Sequence, residues 1–171
     1  MRDASKIKAA SRIAPEMMIR KLFDFHSNSQ PYVAGAVVVS CFDARIRLAR
    51  DEFLRRYGVA HPDLVIIAGG SLALSSPRTN LDRAFVLDQV QLAIRLHRAS
   101  RVILMSHSDC ATYGGLAAFN GDRQRERAHH AGELCRASTV IRGEFHGLQI
   151  ERVFLTFDSV LSVGDEECAE D

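Results

Sequence analysis

The clearest pattern along the chain is a set of short apolar runs, each closed by a small or polar residue. Ala36-Val37-Val38-Val39, Leu64-Val65-Ile66-Ile67-Ala68, Val102-Ile103-Leu104-Met105 and Val153-Phe154-Leu155 carry no polar alternation. β-branched runs of this length suit strands covered on both faces, as in parallel sheets. The pattern predicts strands over 34–41, 64–68, 101–106 and 153–157.

Between these runs the period becomes helical. Residues 46–57 place Leu48, Phe53 and Leu54 inward and Arg47, Arg50, Arg55 and Arg56 outward, with Gly58 as terminator. Residues 81–98 gather Phe85, Val86, Val90, Ala93, Ile94 and His97 on one apolar face. Ser71–Asn80 reads as a loop, 116–120 as a short helical piece, and 123–140 as a charged helix after the Asn120-Gly121-Asp122 turn. Helical spacing through 5–27, interrupted at Pro15, predicts an N-terminal arm within residues 1–30. Residues 165–171 form an acidic tail. Alternating strand and helix imply one α/β domain over 1–171, a mostly parallel central sheet flanked by helices.

Composition adds mainly exclusions. At 171 residues the chain suits one substantial core. Its 22 basic and 21 acidic side chains nearly cancel, so charge gives no reason to expect nucleic acid or an anionic membrane as partner. No run reaches the roughly 18 apolar residues of a membrane-spanning helix. The first residues lack the apolar core of a signal peptide, and the expected location is the cytoplasm. A disulfide framework is not expected there, and Cys135 and Cys168 are read as incidental.

In open α/β sheets ligands sit beyond the carboxyl ends of strands, near a topological switch point. Two polar stretches occupy such ends: Ser40-Cys41-Phe42-Asp43-Ala44-Arg45 and His107-Ser108-Asp109-Cys110. Zinc prefers thiolate sulfur and imidazole nitrogen in tetrahedral geometry. Cys41, His107 and Cys110 supply three such ligands, leaving a fourth position open as in catalytic sites. Alternate residues of an extended segment share a side, which would set Asp43 beside the metal and Arg45 beyond it. Asp43 could then accept a hydrogen bond from metal-bound water while Arg45 keeps it ionised.

Plainer readings stand beside these. The two cysteines could be ordinary buried thiols, or a redox pair that leaves His107, Asp43 and Arg45 unexplained. Asp109 could aim into the site or turn its loop. Tyr113 could donate in a pocket, with core packing favoured. His129 and His130 could shuttle protons or ligate, with a solvated helix face favoured. Gly69-Gly70-Ser71 lacks a phosphate-loop fingerprint and reads as a tight turn.

Cys41-x-Asp43-x-Arg45 followed by His107-x-x-Cys110, with Ala68-Gly69-Gly70 between, resembles the motif pair of the β-class carbonic anhydrases. The resemblance covers residues 34–115. It implies a lyase binding Zn2+ through Cys41, His107 and Cys110, with Asp43 and Arg45 as catalytic residues. It implies reversible hydration of carbon dioxide to bicarbonate by zinc-bound hydroxide, in a homodimer or a multiple of dimers. It also implies that Asp43 can swing onto zinc by breaking its pair with Arg45. Ile66-Ile67 stand where many members carry Arg-Asn, and Ala111 where the zinc cysteine is usually followed by Gly. The alternatives are hydrolysis of carbonyl sulfide or carbon disulfide, and a catalytically silent zinc-binding dimer.

Overall fold

A computed structural model describes residues 20–168. The chain divides into a unit of residues 1–30 and a unit from Pro31 onward. In the first, residues 20–29 carry no helix, and Lys21 pairs with Asp24 at 3.0 Å. The helix expected over 5–27 is therefore absent from 20–27, and the rest of it lies outside the described residues. Residues 20–30 are exposed, and without a buried face nothing offsets the cost of helix nucleation there.

The second unit is built on five strands: β1 Val37–Cys41, β2 Asp63–Ile67, β3 Arg101–His107, β4 Gln149–Leu155 and β5 Val160–Ser162. Their spatial order is β2-β1-β3-β4-β5, parallel except for the antiparallel β4–β5 pair. The helices are α1 Arg47–Arg56, α2 Leu72–Ser75, α3 Asn80–His97 and α4 Arg123–Glu144. β1 connects to β2 on one side while β3 lies on the other, so the order reverses between β1 and β3. This is where a crevice is expected. Pairing between β1 and β3 covers Val37–Val39 against Val102–Leu104 and stops short of both strand ends. By contrast β1–β2 pairing runs to Cys41–Ile67 and β3–β4 pairing to His107–Leu155.

Strand pleating sorts the core into two layers. Val37, Val39, Val102, Leu104 and Phe154 face Leu74, Val86, Val90, Leu134, Ala137 and Ile141 from α2, α3 and α4. Val38, Ile103, Met105, Val153 and Leu155 face Ile46, Phe53 and Leu54 around α1. Both faces of β1 and β3 are covered, which is why their runs show no polar alternation, while the edge strand β2 is only partly buried.

Several expectations need correction. A 3-10 turn at Ala44–Ile46 precedes α1 and sets its phase. The inward stripe becomes Ile46, Arg50, Phe53 and Leu54, so Arg50 is buried and Leu48 is exposed. On α3 the buried stripe is Val86, Val90 and Ala93, and Phe85 falls outside it and is exposed. The loop over 71–80 contains α2, and α4 extends to Glu144. β4 ends at Leu155, leaving Phe157 in a turn. β5 was not expected: it is three residues long and is formed by antiparallel pairing with β4. Cys135 and Cys168 are not incidental: they form a disulfide with Cα atoms 5.3 Å apart, tying the C-terminal segment to α4. Among the described residues no helix is long and apolar enough to cross a membrane.

Candidate metal centre

Cys41 ends β1 and His107 ends β3, on either side of the open seam. Cys110 follows after a short turn in which Asp109 adopts φ +54°. Left-handed backbone is uncommon for non-glycine residues, and Asp is among those that tolerate it. Gly70 closes the crevice floor at φ +55°. A Cβ there would lie 2.7 Å from the Met105 carbonyl oxygen and 2.8 Å from the Cys41 nitrogen. Only glycine allows the β2–α2 turn to pass so close to the ends of β1 and β3. The tight-turn reading of Gly69-Gly70 agrees with this geometry.

The thiols of Cys41 and Cys110 and a ring nitrogen of His107 lie within 4.8 Å of one another, and all three residues are buried. His107 Nδ1 is 2.9 Å from the Ser108 carbonyl oxygen. That contact places the proton on Nδ1 and turns the lone pair of Nε2 inward. Nε2 is buried and has no hydrogen-bond partner. A buried, unpartnered imidazole nitrogen beside two buried thiols is a donor set that fits a zinc ion.

The electrostatics support easy loss of a thiol proton. The Cys110 thiol hydrogen-bonding to Cys41 outweighs burial and, with help from His107, lowers the Cys41 pKa to about 4. Cys110 is correspondingly raised, first by that same contact and then by burial. Burial lowers His107, but the neighbouring Cys41 outweighs it and leaves the pKa raised. A buried thiolate beside a thiol suits a cation, whose binding would displace the remaining proton.

Asp43 caps the 3-10 turn and accepts from the Arg45 backbone N–H at 2.9 Å. The segment after Cys41 thus coils where extended backbone was expected. Asp43 and Arg45 still meet, because the turn folds the guanidinium back over the carboxylate. Arg45 Nε donates to both Asp43 oxygens at 3.1 and 3.0 Å, and Nη2 donates at 2.7 Å. These bonds lower the Asp43 pKa to about 2. Asp43 Oδ2 is 4.0 Å from His107 Nε2, so the pair borders the ligand cluster. Arg45 also lies 5.2 Å from the centre of the Phe157 ring, a cation–π distance. Asp109 does both things left open for it: Oδ2 pairs with Arg45 at 2.9 Å, and Oδ1 accepts from Leu116 N–H at 3.0 Å.

Three features escaped sequence reasoning. Glu126 is buried on α4 and accepts from the Asp109 backbone N–H. His130 is fully buried, not solvated, with its ring 4.4 Å from that of Tyr113, while its neighbour His129 is exposed. Burial first, and His129 second, lower its pKa to about 3, so it is neutral. Lastly, a cavity of about 260 Å³ is lined by Ile67, Ala68, Leu72, Ala73, Phe85 and Thr112, among others. Thr112 lies two residues beyond Cys110, so the cavity adjoins the ligand loop. In α4 the available signal was Glu126, His130 and Glu133 falling on one helical face.

Comparison with known proteins agrees with this architecture. The model of the family described as "Putative carbonic anhydrase" matches residues 33–163. An uncharacterized protein from Rickettsia bellii (strain RML369-C) is 24% identical over 131 residues, covering 75% of this chain and 80% of that protein. The crystal structure of carbonic anhydrase from Streptococcus mutans has a TM-score of 0.56 at 15% identity, with 81% of this chain and 88% of that one covered. The β-carbonic anhydrase isoform I of Trichomonas vaginalis has a TM-score of 0.53 at 11% identity, with 82% and 87% covered. At these identities the structural likeness is one of fold. Because the family match spans most of the sheet-bearing unit and the fold agrees with it, the chain belongs to the β-carbonic anhydrase family as a divergent member.

Proposed function

We propose that this protein is a zinc lyase that interconverts carbon dioxide and bicarbonate, with Cys41, His107 and Cys110 as the metal ligands. The observation that carries this reading is the convergence of two buried thiols and the unpartnered His107 Nε2 at the β1–β3 seam. A zinc ion held there would act as a Lewis acid that makes water a competent nucleophile at neutral pH.

The chain's own residues divide the remaining work. Asp43 stays ionised at neutral pH and can accept a hydrogen bond in front of the ligands. Arg45 donates to both Asp43 oxygens, which keeps that carboxylate off the cluster and leaves room for a fourth ligand. Ile67, Ala68, Leu72 and Ala73 give the adjoining cavity one apolar wall that can face a small neutral molecule, while Arg78 and Asp82 line it elsewhere. Ile67, one of the departures from the common family pattern, is part of that wall. We propose that the protein acts as a homodimer.

The test is zinc content by elemental analysis together with stopped-flow carbon dioxide hydration. About one zinc per chain and a metal-dependent rate are expected, both lost in Cys41→Ser. Stoichiometric zinc without hydration at any pH would overturn the lyase reading. Full activity after zinc removal would overturn the mechanism.

A further inference from the structure

One face of α4 is unusual for a helix packed on a sheet. Glu126, His130 and Glu133 are 2%, 0% and 3% exposed, among apolar residues such as Leu134, Ala137 and Ile141. A buried carboxylate is costly unless it is partnered. Glu133 accepts from Ser75 and Ser76 and pairs with Arg136 at 2.5 Å, so it ties α4 to α2. His130 lies against the rings of Tyr113 and Phe154, and its ring nitrogens make no hydrogen bond. Glu126 is different: it reaches the loop that joins His107 to Cys110.

The contacts from Glu126 form a continuous line. Its carboxylate accepts from the backbone N–H of Asp109. Asp109 is the left-handed residue of the ligand loop, a conformation that costs a non-glycine residue about 1–2 kcal/mol, so contacts that hold its peptide help to maintain the loop. The Asp109 carbonyl and carboxylate then accept from Arg45 Nη2 and Nη1, each at 2.9 Å. Arg45 Nε and Nη2 also donate to Asp43. Gly115 lies beside it: a Cβ there would sit 2.9 Å from Asp109 Oδ1, so the absence of a side chain leaves that carboxylate its place.

We infer that Glu126 is a positioning residue that acts through Asp109 and Arg45 to set the Asp43 gate and the spacing of His107 and Cys110. A carboxylate on a long helix anchors one peptide of a tight loop. That peptide's own carbonyl and side chain fix the guanidinium that controls Asp43. The functional consequence rests on the proposed metal site, whereas the coupling of Glu126 to Arg45 does not depend on carbon dioxide being the substrate.

The test is a double-mutant cycle in the full chain: Glu126→Ala and Arg45→Ala, singly and together. Two readouts need no turnover. One is hydrogen exchange at the Asp109 amide in the metal-free protein. The other is zinc affinity in competition with a chromophoric chelator. Glu126→Ala is expected to speed Asp109 exchange at least about tenfold and to weaken zinc about 10- to 100-fold, the usual effect of removing an outer-shell partner. Glu126→Gln, whose side-chain carbonyl can still accept, should return both to within about twofold of the unaltered protein. In the Arg45→Ala background the effect of Glu126→Ala on zinc affinity should shrink at least about fivefold. Should Glu126→Ala fail to fold, Glu126→Asp, too short to reach the peptide, carries the same cycle. Equal effects in both backgrounds, or unchanged exchange and affinity, would overturn the inference. Coupling without hydration would overturn the lyase reading and leave this inference standing.

Discussion

Loss of the Cys135–Cys168 disulfide should lower stability by several kcal/mol while leaving the candidate site in place. The bond joins residues 33 apart in sequence, spanning the second half of α4, β4 and β5. Closing a loop of that length removes about 4 kcal/mol of unfolded-chain entropy at 25 °C on the chain-entropy model. Residual structure in the unfolded chain reduces this, so about 2–4 kcal/mol is expected. For a chain of this size each kcal/mol moves the melting point by about 2–4 °C, giving a fall of about 4–16 °C. The assay compares the full chain with Cys168→Ser by thermal denaturation, first without reductant and then with a phosphine reductant. The two proteins should differ without reductant and converge with it. In unreduced, denatured protein, thiol titration should find only Cys41 and Cys110. Reactivity at Cys135 and Cys168 under those conditions would refute the reasoning. So would a Cys168→Ser protein that melts with the unaltered one.

Two further substitutions test other parts of the structure. Gly70→Ala places a methyl group within 2.7 Å of the Met105 carbonyl oxygen and 2.8 Å of the Cys41 nitrogen, in a left-handed conformation. Backbone must yield on both sides, so a loss of about 2–4 kcal/mol in urea unfolding and weaker zinc binding are expected. Unchanged unfolding would show that the seam is not closely packed. Glu133 is raised by burial, but hydrogen bonds from Ser75, Arg136 and Ser76 outweigh this and leave its pKa lowered. Its contribution to stability is therefore complete above the ordinary carboxylate value of 4.5 and is lost as pH falls through the lowered folded value. Glu133→Gln should flatten the acid limb of the stability–pH curve, and an unchanged slope would contradict that assignment.

Much of the scaffold was readable in local pattern. Strands covered on both faces carry apolar runs, so β1 and β3 appeared within a few residues of their true bounds; the apolar run of β2 marked that strand equally well, although it is a partly buried edge strand. The errors arose where phase or long-range pairing decides. Leu48 and Arg50 exchanged roles because a three-residue 3-10 turn rotated the start of α1. β5 was invisible because a three-residue strand exists only through its pairing with β4. Cys135 and Cys168 carried no local mark of partnership; the return of the chain past α4 brings them together.

The sequence by itself determined the chemical inventory: two thiols, an imidazole and an Asp-x-Arg pair, each placed at the end of an apolar strand run. Short-range rules suffice for that, since residue type and strand position are local properties. Tertiary structure decided how the inventory is used. The β1–β3 seam opens before the strand ends, so Cys41, His107 and Cys110 converge in a buried crevice. The coiling after Cys41 turns Arg45 onto Asp43. The burial of α4 makes Glu126 and His130 interior groups. The convergence at the seam and the burial of α4 do not follow from neighbours in sequence, because each depends on surfaces that meet only when distant segments pack; the Asp43–Arg45 turn, spanning two residues, is local.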